Sequence, residues 1–148
     1  MAADPSPAGA QARALYDSDV ASQALGIELQ DVGEGWARLS MRVRPSMLNG
    51  HGICHGGFVF LLADSAFAMA CNTRGLPAVA SGGDITFLAP VHDGDVLLAT
   101  AEERAVAGRS GLYDVQVCRG EDVIAELRGR SRTLTALPEP SNTGAQHA

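Results

Sequence analysis

The sequence predicts an α+β fold in which a curved antiparallel sheet wraps around one long central helix. Three observations carry this. The stretch 58–72, FVFLLADSAFAMACN, holds no Pro or Gly and is apolar on all sides for about four turns, as a helix enclosed in a core must be. Around it lie a β-hairpin and four consecutive strands with tight turns between them, which pair antiparallel. Neither an internal repeat nor the regular helix–strand alternation of a parallel sheet is present. A lone helix apolar all round needs a sheet that curves over it, and its remaining apolar surface needs a second copy of the chain.

The 148 residues suffice for one domain, placed at 10–136 between two disordered tails, 1–9 and 137–148, that are rich in Pro, Ala, Ser and Gly and lack apolar periodicity. From Ala10 to Leu25, Ala14, Leu15, Ala21 and Leu25 form the apolar face of a short amphipathic helix ending near Gly26. Ile27–Val32 and Trp36–Val43 flank Gly33-Glu34-Gly35 as a hairpin, its second arm alternating Ala37, Leu39, Met41 and Val43 with Arg38, Ser40 and Arg42. After Pro45 a loop dense in Gly and His, NGHGICHGG at 49–57, leads into the long helix. Strands follow at 78–88, 95–106, 111–119 and 122–134; in the third, Tyr113, Val115 and Val117 alternate with Asp114, Gln116 and Cys118.

Charge and composition narrow the function. A net charge of −6 repels polyanions, and no apolar run reaches the roughly 18–20 residues that span a bilayer, so neither nucleic acid nor a membrane is an expected partner. All 11 basic side chains are Arg, which removes P-loop, Schiff-base and Ser-Lys chemistry. The three cysteines are odd in number and form no CxxC pair, which fits reduced thiols, and the first residues contain no secretory apolar core; both point to the cytoplasm.

The chemistry centres on Asp64, the only charged side chain between Phe58 and Asn72. Set among apolar neighbours it is expected to be buried, and its charge must find hydrogen bonds or be neutralised. It is either a structural acid, capping a loop or pairing with an arginine, or a general base or nucleophile with an elevated pKa; the second is favoured. Gly56-Gly57 makes either a tight loop-to-helix junction or a helix start whose unpaired N–H groups polarise a carbonyl becoming an oxyanion. The spacing is not that of a phosphate loop. Gly56 and Asp64 are about 12 Å apart along a helix, so one copy cannot bring both to one atom; two helices side by side about a two-fold axis would make two equal sites. Asn49 either forms an Asx-turn or donates its amide beside that carbonyl, and His55 and His51 either orient the loop or are plain loop residues. His51, Cys54, His55 and Asp64 lack a standard zinc spacing, so no metal is expected, and there is no GxSxG elbow for a Ser-His-Asp triad.

The run L-N-G-H-x-x-C-H-G-G-x-x-F-x-L-A-D-x-A-F-A-x-A-C-N, Leu48 to Asn72, resembles the signature of hotdog-fold acyl-CoA thioesterases of the phenylacetate-degradation (PaaI) type. The likeness extends to Ala24–Ile27, Val79–Ser81, Ile85, Phe87-Leu88 and Gly111–Asp114. It implies a hotdog fold, a homodimer with a continuous sheet, commonly paired into a homotetramer, and hydrolysis of phenylacetyl-CoA or hydroxyphenylacetyl-CoA-like thioesters. No metal or redox cofactor is implied, coenzyme A being part of the substrate. Carried over by position, Gly56 supplies the N–H that polarises the thioester carbonyl, Asp64 the carboxylate from the opposite subunit, Asn49 a polar group beside the carbonyl or water, and His55 support for the loop. Where some relatives carry Ser or Thr one turn beyond the acid, this chain has Ala68; Ser81 is a substitute. Gly57 borders the substrate. The CoA phosphates call for arginines, offered by Arg104 and Arg109 at the Gly108 turn, Arg109 being taken with Ser110, and by Arg128, Arg130 and Arg132 on one strand face; the plain alternative is a solvated sheet face. Two other readings are an acyl-thioester dehydratase or hydratase, using His55 with Asp64, and a non-catalytic acyl-CoA-binding module, which gains nothing from a costly carboxylate.

Overall fold

The computed structural model describes residues 6–134. Its elements run α1 (Pro7–Asp17), α2 (Val20–Ala24), β1 (Glu28–Gly33), β2 (Trp36–Arg42), a 3₁₀ turn at Pro45–Met47, α3 (Gly56–Cys71), β3 (Ala78–Phe87), β4 (Val96–Ala107), β5 (Ser110–Arg119) and β6 (Asp122–Thr133). All strands join one antiparallel sheet in the order β1-β2-β4-β5-β6-β3, so β1 and β3 are its edges. The strand following the long helix thus crosses to the far edge, and α3 lies across the concave face against β2, β4, β5, β3 and β6. This is the hotdog architecture.

The period-2 pattern becomes packing directly. Ala37, Leu39 and Met41 of β2, Leu97, Ala99 and Ala101 of β4, and Tyr113, Val115 and Val117 of β5 are buried against Leu62, Ala66, Phe67 and Met69 of α3. Gly129 of β6 is there because nothing larger fits: a Cβ would stand 3.0 Å from the Phe67 ring. The helix end is tied down by Asn72, whose amide donates to the carbonyls of Ala68 and Ala78 while its oxygen accepts from the Ala78 N–H, starting β3 at a fixed place.

Strand bounds agree with expectation to within a residue, and three other features differ. The helix expected over Ala10–Leu25 is two helices, because Ser18 closes α1 and the Asp19 carboxylate caps α2 by accepting the Ser22 N–H. Residues 7–9, expected in a tail, form the first turn of α1, capped by Ser6 with Pro7 at its start. The remaining tail residues lie outside the described residues. Finally, α3 is not buried all round: Gly57, Phe60 and Asp64 are exposed along one face, spaced by a helical turn.

Candidate active site

Asp64 opens into a groove of about 320 Å³ between α3 and the inner side of β3 and β6, lined by Phe60, Asp64, Phe67, Ala80, Ser81, Gly82, Gly83, Leu127 and Gly129. It is the one titratable side chain in that lining, and the expectation of a buried carboxylate is corrected: on the single chain Asp64 is exposed, because the groove it lines is open to solvent. Its apolar surroundings nevertheless hold its carboxyl above the ordinary Asp range, desolvation being the main cause and the charge of Asp19 the second. Within the single chain no arginine pairs with Asp64 and it caps no loop among the described residues. Ser81 is brought into the same groove at a β-bulge between Ala80 and Gly82, with its hydroxyl donating to the Arg130 carbonyl.

The second constellation sits at the start of α3. His55 is the N-cap: its Nδ1 accepts the Gly57 N–H at 3.0 Å, and its carbonyl accepts from Phe58. That leaves the Gly56 N–H with no acceptor among the described residues, an orphan donor at a helix N-terminus suited to a developing negative oxygen. Gly56 tolerates nothing larger, since a Cβ would stand 2.9 Å from the Phe87 ring. The Asx-turn at Asn49 is real: Oδ1 accepts from His51 at 2.9 Å and from Ile53 at 3.4 Å. The same contacts orient the side chain and leave its Nδ2 without a partner among the described residues, so the Asx-turn leaves the amide free to donate. His51 is exposed and contributes its backbone N–H alone.

Within one chain these two groups stay apart. Asp64 follows Gly56 by eight residues of unbroken helix, and neither Gly56, Gly57, Asn49 nor His55 lines the Asp64 groove. Arg109 and Ser110 lie at the β4–β5 turn and do not line the Asp64 groove. Among the arginines marked for CoA, Arg104 and Arg128 clamp Asp114, and Arg130 pairs with Asp84, which is the solvated-face reading. Arg109 gives Nε to the Thr133 carbonyl and meets no carboxylate among the described residues, nor does Arg132, whose backbone pairs with Ser110. No group of three or more His, Cys, Asp or Glu among the described residues is placed to hold a metal ion, and no helix there is long and apolar enough to cross a membrane.

The sequence did not reveal the groove walls Phe60, Phe67, Leu127 and Gly129, which look like ordinary core residues. Gly82-Gly83 inside a strand was the available signal, because glycine there marks a close approach.

A hotdog sheet with an apolar groove holding one carboxylate, and an orphan N–H at the central helix start, define an acyl-transfer scaffold. The chain belongs to the thioesterase superfamily, whose family model matches residues 51–126, and it is a thioester hydrolase. It is 45% identical over 124 residues to the acyl-coenzyme A thioesterase PaaI of Escherichia coli K12, covering 83% of this chain and 89% of that one. The solved structure of the E. coli PaaI protein from the phenylacetic acid degradation operon superposes with a TM-score of 0.84 at 44% identity, covering 86% and 94%. A mutant structure of phenylacetic acid degradation protein PaaI from Thermus thermophilus gives 0.74 at 37% identity, covering 76% and 97%.

Proposed function

We propose that this protein hydrolyses arylacetyl-CoA thioesters, of the phenylacetyl-CoA or hydroxyphenylacetyl-CoA kind, to the free acid and CoA. The observation that carries this is the groove that Asp64 lines together with Phe60, Phe67 and the Gly82-Gly83 stretch of β3: an apolar slot for an aryl group with one carboxylate at its wall. The scissile carbonyl would accept the Gly56 N–H, with the Asn49 amide and the His55-capped loop beside it. Asp64 would take a proton from the attacking water and return it to the CoA sulfur as the oxyanion held at Gly56 collapses, giving acid and thiol. Or it would attack the carbonyl itself, expelling CoA thiolate, which takes a proton from solvent, and leaving a mixed anhydride that water hydrolyses to the acid and free Asp64. An elevated Asp64 pKa makes the carboxylate a stronger base near neutral pH.

The helix separation requires two copies, each giving Asp64 to the other's Gly56. The exposed apolar face of α3 and the edge strand β3, with Val79 and Phe87 about half exposed and Leu88 just beyond it more so, support a homodimer here, with pairing into a homotetramer. Arg109, Ser110 and Arg132 are the candidate holders of the CoA phosphates, and Gly57 borders the thioester. The reading asks for no metal or redox cofactor, no nucleic acid and no membrane, and places the enzyme in the cytoplasm. His55 spends Nδ1 on Gly57, which favours a loop-orienting role over that of a dehydratase base.

The test is CoA release from phenylacetyl-CoA and a straight-chain acyl-CoA, followed with a thiol reagent. Release, faster with the aryl thioester, is expected. Binding of both without release would move an acyl-CoA-binding module to the front, and reversible hydration of an enoyl thioester without release a hydratase.

A further inference from the structure

The tip of the Phe87 ring rests against the start of α3, and hydrolysis at Asp64 and Gly56 gives it no part. A Cβ on Gly56 would stand 2.9 Å from Phe87 Cζ, 3.2 Å from Cε2 and 3.3 Å from Cε1. The ring is nevertheless 51% exposed, so one end is held by Gly56 and the rest faces open space beside the orphan N–H. A carbonyl oxygen taking that N–H lies about 2.9 Å from the nitrogen, which brings one arm of the thioester, acyl or thiol, within reach of the ring.

Strand β3 decides which arm. Gly83, Ile85 and Phe87 alternate on the side of β3 that faces α3: Gly83 lines the Asp64 groove, Ile85 packs on the core and Phe87 meets Gly56. Passing along α3 from Gly56 to Asp64 is therefore passing back along β3 from Phe87 to Gly83. The shared site needs a two-fold axis midway between Gly56 and Asp64, beside the exposed Phe60, and that axis also falls midway between Phe87 and Gly83, beside Ile85. As a sheet edge, β3 is free to pair antiparallel with its copy about the same axis. One operation thus carries the partner's Gly56 to Asp64 and the partner's Phe87 to Gly83, on the acyl side of the thioester.

We propose that Phe87 is a specificity-determining residue for the acyl group: the subunit that supplies Gly56 also supplies this ring, which closes the other subunit's aryl groove opposite Phe60 and Phe67. The inference rests on the hydrolytic, shared-site reading and adds the residue that selects an aryl over an alkyl acyl group. Two aromatic rings gain from offset or edge-to-face packing beyond the area they bury, whereas an alkyl chain on the same ring gains burial alone. The glycines at 82 and 83 bring no side chain to this part of the groove, so the arriving ring and the substrate ring share it.

The test compares the full-length wild type with Phe87→Leu, which keeps an apolar side chain and removes the ring, on phenylacetyl-CoA and hexanoyl-CoA. The aryl-to-alkyl ratio of kcat/KM should fall by about threefold or more. A smaller fall overturns the proposal: with both substrates slowed alike the ring sits on the thiol arm, and with neither slowed it serves packing alone. Should Phe87→Leu not fold, Phe87→Met is judged by the same threshold. Dissociation constants are measured in parallel by calorimetry for analogues of both thioesters with a methylene in place of the sulfur. These need no turnover, so a wild type that releases no CoA sinks the hydrolytic reading alone, and the ratio of the two constants, held to the same threshold, still decides the part played by Phe87.

Discussion

Asp64 and Gly56 can be read from the sequence because each breaks a local rule: a charge inside an apolar helix, and a glycine pair where a helix begins. Their roles remain residue-scale claims. Asp64→Asn is expected to lower kcat by about 10² or more while the fold persists. It should also raise Tm at pH 7: a carboxyl whose folded pKa is raised costs stability once pH exceeds its unfolded value, and that cost is absent at pH 3, where both states are protonated. Glu103 has the opposite sign. Arg74, and then the Tyr113 hydroxyl, hold it below the ordinary Glu range. Glu103→Gln should therefore lose about 1 kcal/mol at pH 7, a modest figure because Arg74 is partly exposed, and the loss should fade as pH falls through the lowered pKa. Denaturant melts at both pH values check each sign. What the sequence could not show was how open Asp64 is, since an apolar helix face looks the same whether its own sheet or another chain covers it.

At the level of elements, strands were legible wherever one face is buried: Ala37, Leu39 and Met41 alternate with Arg38, Ser40 and Arg42 and fix the β2 register. The break between α1 and α2 was not foreseen, because its signal lies in Asp17-Ser18-Asp19, where short polar side chains compete for backbone hydrogen bonds while the apolar spacing runs on. In β6 a register shift at Val117/Cys118 of β5 buries both Ile124 and Ala125, spoiling the alternation. The seat of α3 on the sheet depends on Gly129 beneath Phe67. Gly129→Val should cost about 1–3 kcal/mol in urea unfolding, since the ring must leave its rotamer or the strand must move; an unchanged midpoint would show that the contact is slack.

At the scale of the whole molecule, the long helix, two short N-terminal helices and six strands of the described residues place the Asp64 carboxylate and the orphan Gly56 N–H at separate stations along α3, eight residues apart. The order β1-β2-β4-β5-β6-β3, which puts β3 on an edge, was beyond the sequence, because pairing partners leave no mark in a single strand's pattern. The edge and the exposed helix face together point to a site shared between two chains, which subunit mixing distinguishes from a site within one. Asp64→Asn and Gly56→Val chains, each inactive alone, are unfolded together, refolded and assayed for CoA release. Random pairing makes half of the dimers mixed, each with one intact site of two, so recovery of about a quarter of the wild-type rate is expected. A mixture no faster than its two parents would contradict a site built from both chains.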